Sequence, residues 1–529
     1  MSEVKVNKLS PRSGTTVTIG DSGDTINIVG TLQNNGSVIP GDISSVVAGT
    51  GLSGGGTSGD VTLNVEAAQS GVTSLGTLTG LTVNGNVSVD GGTIKLDGNY
   101  PTGSHNVAMG DTALDSIQAG GNQNTAIGDK AGTALTTGDQ NVAIGACALH
   151  SSETASGNVA IGFESLRDVS TGTRNIGIGT NAIRKGTEGN CNIAIGVSAM
   201  QNASTGSDNV GVGNGALQNN NTGASNTALG ALTLDANTTA NSNTAVGFCS
   251  LSTNTTANSN TAVGCGALKL TTTGCFNTAV GDAALRDNTT GDNNVAIGCG
   301  ALANNETADA NVAIGFKSLV STTTGCQNVA VGHCTMTQNI TGDGNTALGY
   351  LALFCNNGST PDFNVAVGRQ ALYSTTSGYR NVGIGLNAMY STTTGYTNVA
   401  IGANAMYTNS TGIRNIAVGA CSLEASTTSS DNVAIGFTAL DNNTTGSDNV
   451  AVGNNALDAN TTAGNNTGVG HNALKSNTEG FENTAFGNAA GCSINIGDQN
   501  VAIGSHALNN LTEGNNNVAL GRYAGADAV

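Results

Sequence analysis

Gly49, Gly51 and Gly54 are spaced GxGxxG, a pattern that can bring backbone close to a pyrophosphate. That chemistry needs a helix start directly after the glycines. No helix-forming run follows Gly54, so the string reads as a glycine-rich turn. Similar strings, such as Gly177, Gly179 and Ala182, are by-products of the repeat described below. There is no HExxH or Walker sequence, the five His lie far apart, and the nucleophile-plus-base arrangement of a hydrolase has no visible candidate. The 35 acidic residues could supply paired carboxylates, but a glycan-cleaving site also needs an aromatic-lined groove, and only 3% of residues are aromatic. Asp208, Asp292, Asp431 and Asp448 stand next to a recurring Asn and raise the question of calcium. The GGxGxDxxx pattern is absent, so these read as solvated turn acids. Eleven Cys form no CxxC or CxxH spacing and read as free thiols of a chain assembled in a reducing compartment. The expectation is a non-enzyme with no catalytic residue, metal or cofactor.

What the chain has instead is a period. An Asn recurs at 106, 124, 141 and every seventeenth residue to 345, then at 364 and every seventeenth residue to 517, giving 25 copies. The only irregular intervals are one of 18 and one of 19, and the longer one contains Pro361. The consensus is N-[VTI]-[AG]-[VIL]-G-x-x-[AS]-L-x-x-x-T-T-G-x-x, with the Asn and the Gly at position 5 in all 25 copies. β-Branched residues at position 2 and apolar ones at position 4 predict a short strand. Gly at position 5, and at position 15 in Gly172, Gly291 and Gly446, predicts turns needing positive φ or no side chain. Seventeen residues suit one coil of a parallel β-solenoid, and 25 coils at about 4.8 Å each would span roughly 120 Å. One Asn per coil at one site predicts a hydrogen-bonded side-chain ladder.

Position 3 is Ala or Gly in every copy. Its side chain points opposite to positions 2 and 4. If positions 2, 4 and 9 fill the coil, position 3 must be buried by something else. Ala143, Ala160, Ala296 and Ala313 are therefore expected at a contact with another copy, with a three-fold axis the natural arrangement.

Five of the eight Tyr lie within 373–407. Tyr373, Tyr390 and Tyr407 share position 10, and Tyr379 and Tyr396 share position 16. Each set should stack from coil to coil, in a strip with Phe354, Phe363, Arg369, Arg380 and Arg414. Tyr with Arg is a composition favoured at contact surfaces. The strip is a candidate contact for a surface glycan or another protein, with rung-to-rung stacking as the structural alternative.

Composition bounds the partners. Gly is 78 residues, Trp is absent and the formal charge is −18, which disfavours nucleic acid and anionic membrane surfaces. The first residues hold no apolar run of signal-peptide length, and nowhere do 18 apolar residues run together, so neither conventional secretion nor membrane insertion is expected.

The N-V-A-I-G strand resembles the repeat of trimeric autotransporter adhesin heads, which are parallel β-rolls assembled as trimers. Those repeats are usually shorter, and this sequence shows neither that family's signal peptide nor its C-terminal anchor. The opening MSEVKVNKLSPRSGTTVTIGDSGDTINI (1–28), with GDISSVVAGTGLSGGGTSGDVTLNV (41–65) and SLGTLTGLTVNGNVSVDG (74–91), resembles tail-fibre proteins of marine and cyanobacterial phages. That resemblance implies a homotrimeric fibre of the virion, assembled in the host cytoplasm. Its N-terminal segment (1–30) would dock on tail or baseplate proteins, followed by a β-rich stem (31–105) and a solenoid shaft (106–529). The expected class is all-β, and the expected role is host attachment or support of a separate tip. The last repeat opens at Asn517 and covers part of a coil, which points to receptor contact by the shaft or by a separate tip protein. The alternatives are a non-viral surface adhesin and an ice- or ligand-binding solenoid. The varied TTG, TAG, TEG and SSD turns argue against one flat ice-binding face.

Overall fold

The computed structural model describes residues 103–358 and 362–527 throughout, together with five short strands nearer the N-terminus. The chain divides into two compact units, Met1–Ile94 and Lys95–Val529. In the first, β1 (Gln33–Asn34) pairs antiparallel with β2 (Ser37–Val38). Strand β4 (Leu52–Gly56) pairs antiparallel with β3 (Val46–Val47) and with β5 (Leu63–Val65). The expected docking segment 1–30 lies outside the described residues, as does most of the stem.

The second unit is a parallel β-solenoid. Its strands run from β6 (Val107–Met109) to β30 (Val518–Leu520), each three residues long, with one in every repeat. Every strand pairs in parallel with the strands of the repeats before and after it, position on position, as Ala279, Ala296 and Ala313 do. First and last strands do not pair with each other, so the sheet is open and spans about 115 Å along the stacking direction. No helix occurs among the described residues.

Inter-rung bonding continues beyond the strands. In the rung opened by Asn141, the Cys147 N–H donates back to the Asp129 carbonyl at 2.8 Å, and the Leu149 N–H donates forward to Ser165 at 2.9 Å. This alternation needs left-handed backbone at positions 7, 9 and 17 of each rung: φ is 56° at Cys147, 52° at Leu149 and 59° at Gln140. A large side chain in that region costs on the order of 1 kcal/mol. Burying a Leu returns about 2 kcal/mol, which is why the strained position 9 keeps its Leu. Position 5 has φ of 127° at Gly145, open to glycine alone. Position 15 is different. Gly172 is not left-handed, but an added Cβ would stand 2.5 Å from the Gly189 carbonyl oxygen of the next rung.

The strand's alternation is as the sequence suggests, but its inside and outside are reversed. Ala143, Ala160, Ala296 and Ala313 are 0–1% exposed within the single chain and belong to its core, with Ala at position 8 and Leu at position 9. Their side chains are taken up by the chain's own core. Positions 2 and 4 face outward, with Ile297 39% exposed. The reason is space. Position 3 packs under the position-9 side chain of the preceding rung: a Cβ on Gly211 would meet Met200 Cγ at 3.1 Å, and one on Gly177 would collide with Leu166 Cδ1. A coil this narrow leaves no room for a larger side chain at position 3.

The Asn ladder forms as expected. Asn141 N–H donates to Asn124 Oδ1 at 2.9 Å, while Asn141 Nδ2 donates to the same oxygen at 3.1 Å and to the Ala155 carbonyl at 2.9 Å. It runs unbroken through the nineteen-residue interval, where Asn364 N–H donates to Asn345 Oδ1 at 3.0 Å. There the buried Asp362 carboxylate takes the place of the usual position-15 carbonyl. Its Oδ2 accepts from Asn356 Nδ2 at 2.9 Å and Asn345 Nδ2 at 3.3 Å.

A second ladder inside the coil, at position 12, is not evident from the consensus. Asn237 Nδ2 donates to Asn220 Oδ1, and Asn305 Nδ2 to Asn288 Oδ1 at 2.8 Å. Position 12 is apolar in some rungs that keep their position-9 side chain, as Ile117, Val169 and Leu511 show, and in both of the rungs where Leu135 fills the space left by Gly132 and Ile494 that left by Gly491. Runs of the ladder end where Thr or Ile follows. Asn305 Oδ1 is buried without a partner because Thr322, in the next rung, turns its hydroxyl to the Asn339 carbonyl. Replacing Thr322 with Asn should join the two runs and raise stability by about 1 kcal/mol. Calorimetry would check this through a higher Tm for Thr322→Asn than for the parent chain.

Candidate contact surfaces

Because positions 1, 3, 8, 9, 12 and 15 point inward, every outward position becomes a column of side chains along the solenoid. The tyrosines follow this rule. Phe354, Tyr373, Tyr390 and Tyr407 stack with centroid distances of 5.2, 4.9 and 5.2 Å, and Tyr379 stacks on Tyr396 at 4.7 Å. The cations are divided among other columns. Arg380 lies over the Tyr379 ring at 6.0 Å and Arg369 over Tyr350 at 5.8 Å, while Arg414 is paired with Asp431 at 2.6 Å. The strip read from the sequence is thus several columns, at positions 6, 10, and 16–17. Its tyrosines are half-buried.

Of the four acids, Asp431 is the partner of Arg414, and Asp292, two residues before the ladder Asn294, has a structural task. Asp292 belongs to a position-16 column in which a side-chain oxygen accepts the N–H of the rung before: Cys275 N–H donates to Asp292 Oδ1 at 2.6 Å, and Asp292 N–H to Asp309 Oδ1 at 2.7 Å. Among the described residues no group of three His, Cys, Asp or Glu is placed to hold a metal ion. The thiols of Cys249, Cys355 and Cys492 are raised by burial, and that of Cys421 is pushed up to about 11, first by its hydrogen bond to Glu424. None of these four is an activated thiolate.

Beyond Tyr407 the position-10 column continues as Glu424, Asp441, Asp458 and Lys475. Asp441 is pushed up to about 6, by burial first and then by Glu424 and Asp458. The fold disfavours its ionised form, so the penalty is absent below the ordinary carboxylate value, grows as pH rises toward 6 and is complete above it. With the group half exposed, solvent screening reduces the penalty to about 1 kcal/mol. Asp441→Asn should therefore raise Tm at pH 7.5 and leave it unchanged at pH 3.5. Two melting curves decide this.

Two larger surfaces remain. One is a shallow cavity of about 530 Å³ beside this column, whose lining includes Asp458, Lys475, Ser476, Ser493, Thr478 and Asn495. The other is the outer face of the sheet. Positions 2 and 4 present Val, Ile, Leu or Thr from rung after rung, and Ile297, Ile401, Ile435 and Ile503 are 39–41% exposed. Phe163, Phe248, Phe316 and Phe437, at position 6 on the adjoining corner, are 41–55% exposed. The stripe covers on the order of 800 Å², taken as two side-chain columns along 24 strand spacings. Single chains that stay apart rarely expose so long an apolar patch. The threonines at position 14 also form an exposed column, from Thr205 to Thr324 in consecutive rungs. On one side lies a position-13 column with Thr238, Thr255, Thr272 and Thr289, part-buried, and on the other the mixed position-16 column (Ser207, Ala224, Asn241). No protein family, curated protein or solved structure matches the chain.

Proposed function

We propose that this chain is the shaft of a fibre on a phage virion, built from three parallel copies, which contributes to attachment at a host surface or carries a separate tip. The observation that carries the reading is the apolar outer face of the sheet, continuous over the solenoid. Its area is that of one partner's share of a standard protein interface. Two further features agree. The opening segments resemble phage tail fibres, and a stack held by ladders on every side is stiff along its length. Cyclic association about the stacking direction keeps all N-termini at one end, as docking on a particle requires.

Light scattering on the full-length protein tests the assembly. The expected mass is about 156 kDa, three times the 52.0 kDa chain; a stable 52.0 kDa particle would overturn it. Gold-labelled antibody to the solenoid tests the location. It should decorate projections on intact virions, and label confined to bacterial envelopes would replace the phage fibre with a surface adhesin.

A further inference from the structure

We infer that the groove beside the position-10 column binds a linear polysaccharide lying parallel to the stacking direction, one sugar per rung. This rests on the attachment reading and names the ligand class it would use. Positions 9 and 12 point inward, so side chains at positions 10 and 13 stand as two walls with position 11 as the floor. Over the rungs opened by Asn449 to Asn500 the floor is small, at Ser476 and Ser493. The walls are hydrogen-bonding, Asp458 and Lys475 facing Thr478 and Asn495, and the space between them is the cavity of about 530 Å³.

The same wall runs back through Asp441 and Glu424 to the tyrosine stack, a row of eight successive rungs from Phe354 to Lys475. The stacked rings lie within 11° of parallel and cover one another's faces, so a sugar cannot lie flat on them. What the three tyrosines offer is edge and hydroxyl, repeated at 4.9–5.2 Å. The row as a whole is a line of hydroxyl, carboxylate and ammonium groups at one fixed interval.

That interval selects the ligand. An extended peptide presents side chains to one face every ~6.6 Å and falls out of step with the rungs within three of them. An equatorially linked pyranose chain advances by about one ring per rung and presents hydroxyls at each step, so that contacts add along its length. The crowded Glu424, Asp441 and Asp458 favour a chain whose sugars carry amino groups over one carrying carboxylates.

The test is calorimetric titration of the full-length protein with β-1,4-linked glucosamine and glucose oligosaccharides of two, four, six and eight residues. Affinity should rise with each added pair of sugars and be higher in the glucosamine series. The triple change Tyr373→Phe, Tyr390→Phe and Tyr407→Phe keeps the stack and removes the hydroxyls. It should weaken octasaccharide binding about 10-fold with Tm unchanged, and Lys475→Ala with Asp458→Asn should weaken it by a similar factor. Affinity independent of length, no binding in either series, or binding untouched by both variants would overturn the inference. Adhesion of the fibre to cells without oligosaccharide binding would remove this inference and leave attachment standing; oligosaccharide binding without adhesion would do the reverse.

Discussion

Ala296→Glu should unfold the coil around it, whereas Ile297→Glu, one residue later, should leave the coil folded and separate the chains. Ala296 is 0% exposed and faces its own core; Ile297 is 39% exposed and belongs to the outer face of the sheet. A carboxylate at 296 would have no partner and no room, because position 3 lies under the position-9 side chain of the preceding rung, here Leu285. An unpaired buried charge costs at least about 3 kcal/mol, with the overpacking of a larger side chain in addition. At position 297 the carboxylate stays in water in the single chain and would be buried only in the proposed assembly. Circular dichroism and light scattering on both variants separate the cases. Reduced β signal with Ala296→Glu, and full β signal at 52.0 kDa with Ile297→Glu, is the expected pair. A folded, monomeric Ala296→Glu would return the interface to position 3.

Breaking the Asn ladder should be nearly as damaging. Asn294 Nδ2 donates to the Ala308 carbonyl at 2.8 Å and to Asn277 Oδ1 at 3.1 Å, and its Oδ1 accepts the Asn311 N–H at 2.9 Å. Asn294→Leu keeps the branched shape, strands the buried Asn311 N–H and leaves the Ala308 carbonyl with Asn305 Nδ2, at 3.0 Å, as its remaining side-chain donor. A stranded buried group costs about 1–3 kcal/mol and a lost hydrogen bond about 1, so a loss near 3 kcal/mol is expected. Each rung touches only its neighbours, so hydrogen exchange should quicken in the rungs around 277–311 and stay slow toward both ends. Uniformly faster exchange would mean that the solenoid unfolds as one unit.

The period, the strand, the Asn ladder and the stacked tyrosines were legible because each depends on which residue follows which at a spacing of seventeen. The direction of the strand face was not. Alternation distinguishes two faces without naming the inner one, and the usual preference for burying the larger apolar side chain pointed the wrong way. The four Gly at position 3 carried the missing signal: Gly177, Gly211, Gly383 and Gly468 mark a place where space, not solvent, sets the residue. The position-12 ladder hid for a different reason. Its Asn, Thr, Ser, Leu and Ile average to no consensus, and only reading that column alone, from Asn220 to Asn477, brings it out. Left-handed backbone at Leu149 and its equivalents leaves no compositional mark, since Leu is chosen there for the core despite the turn.

The uniform seventeen-residue separation of bonded partners also makes the solenoid modular in length. Among the described residues each solenoid strand contacts only the strands of the adjoining rungs, so removing seventeen residues removes one step of about 4.8 Å and joins two surfaces already built to match. The interval at Asp362 marks the tolerance of that rule: two extra residues are accommodated, and the stack continues in register, because a side-chain carboxylate supplies the missing acceptor. A gene encoding such a chain can change the reach of its product by unequal recombination between repeats, without altering any interaction that holds the remaining coils together.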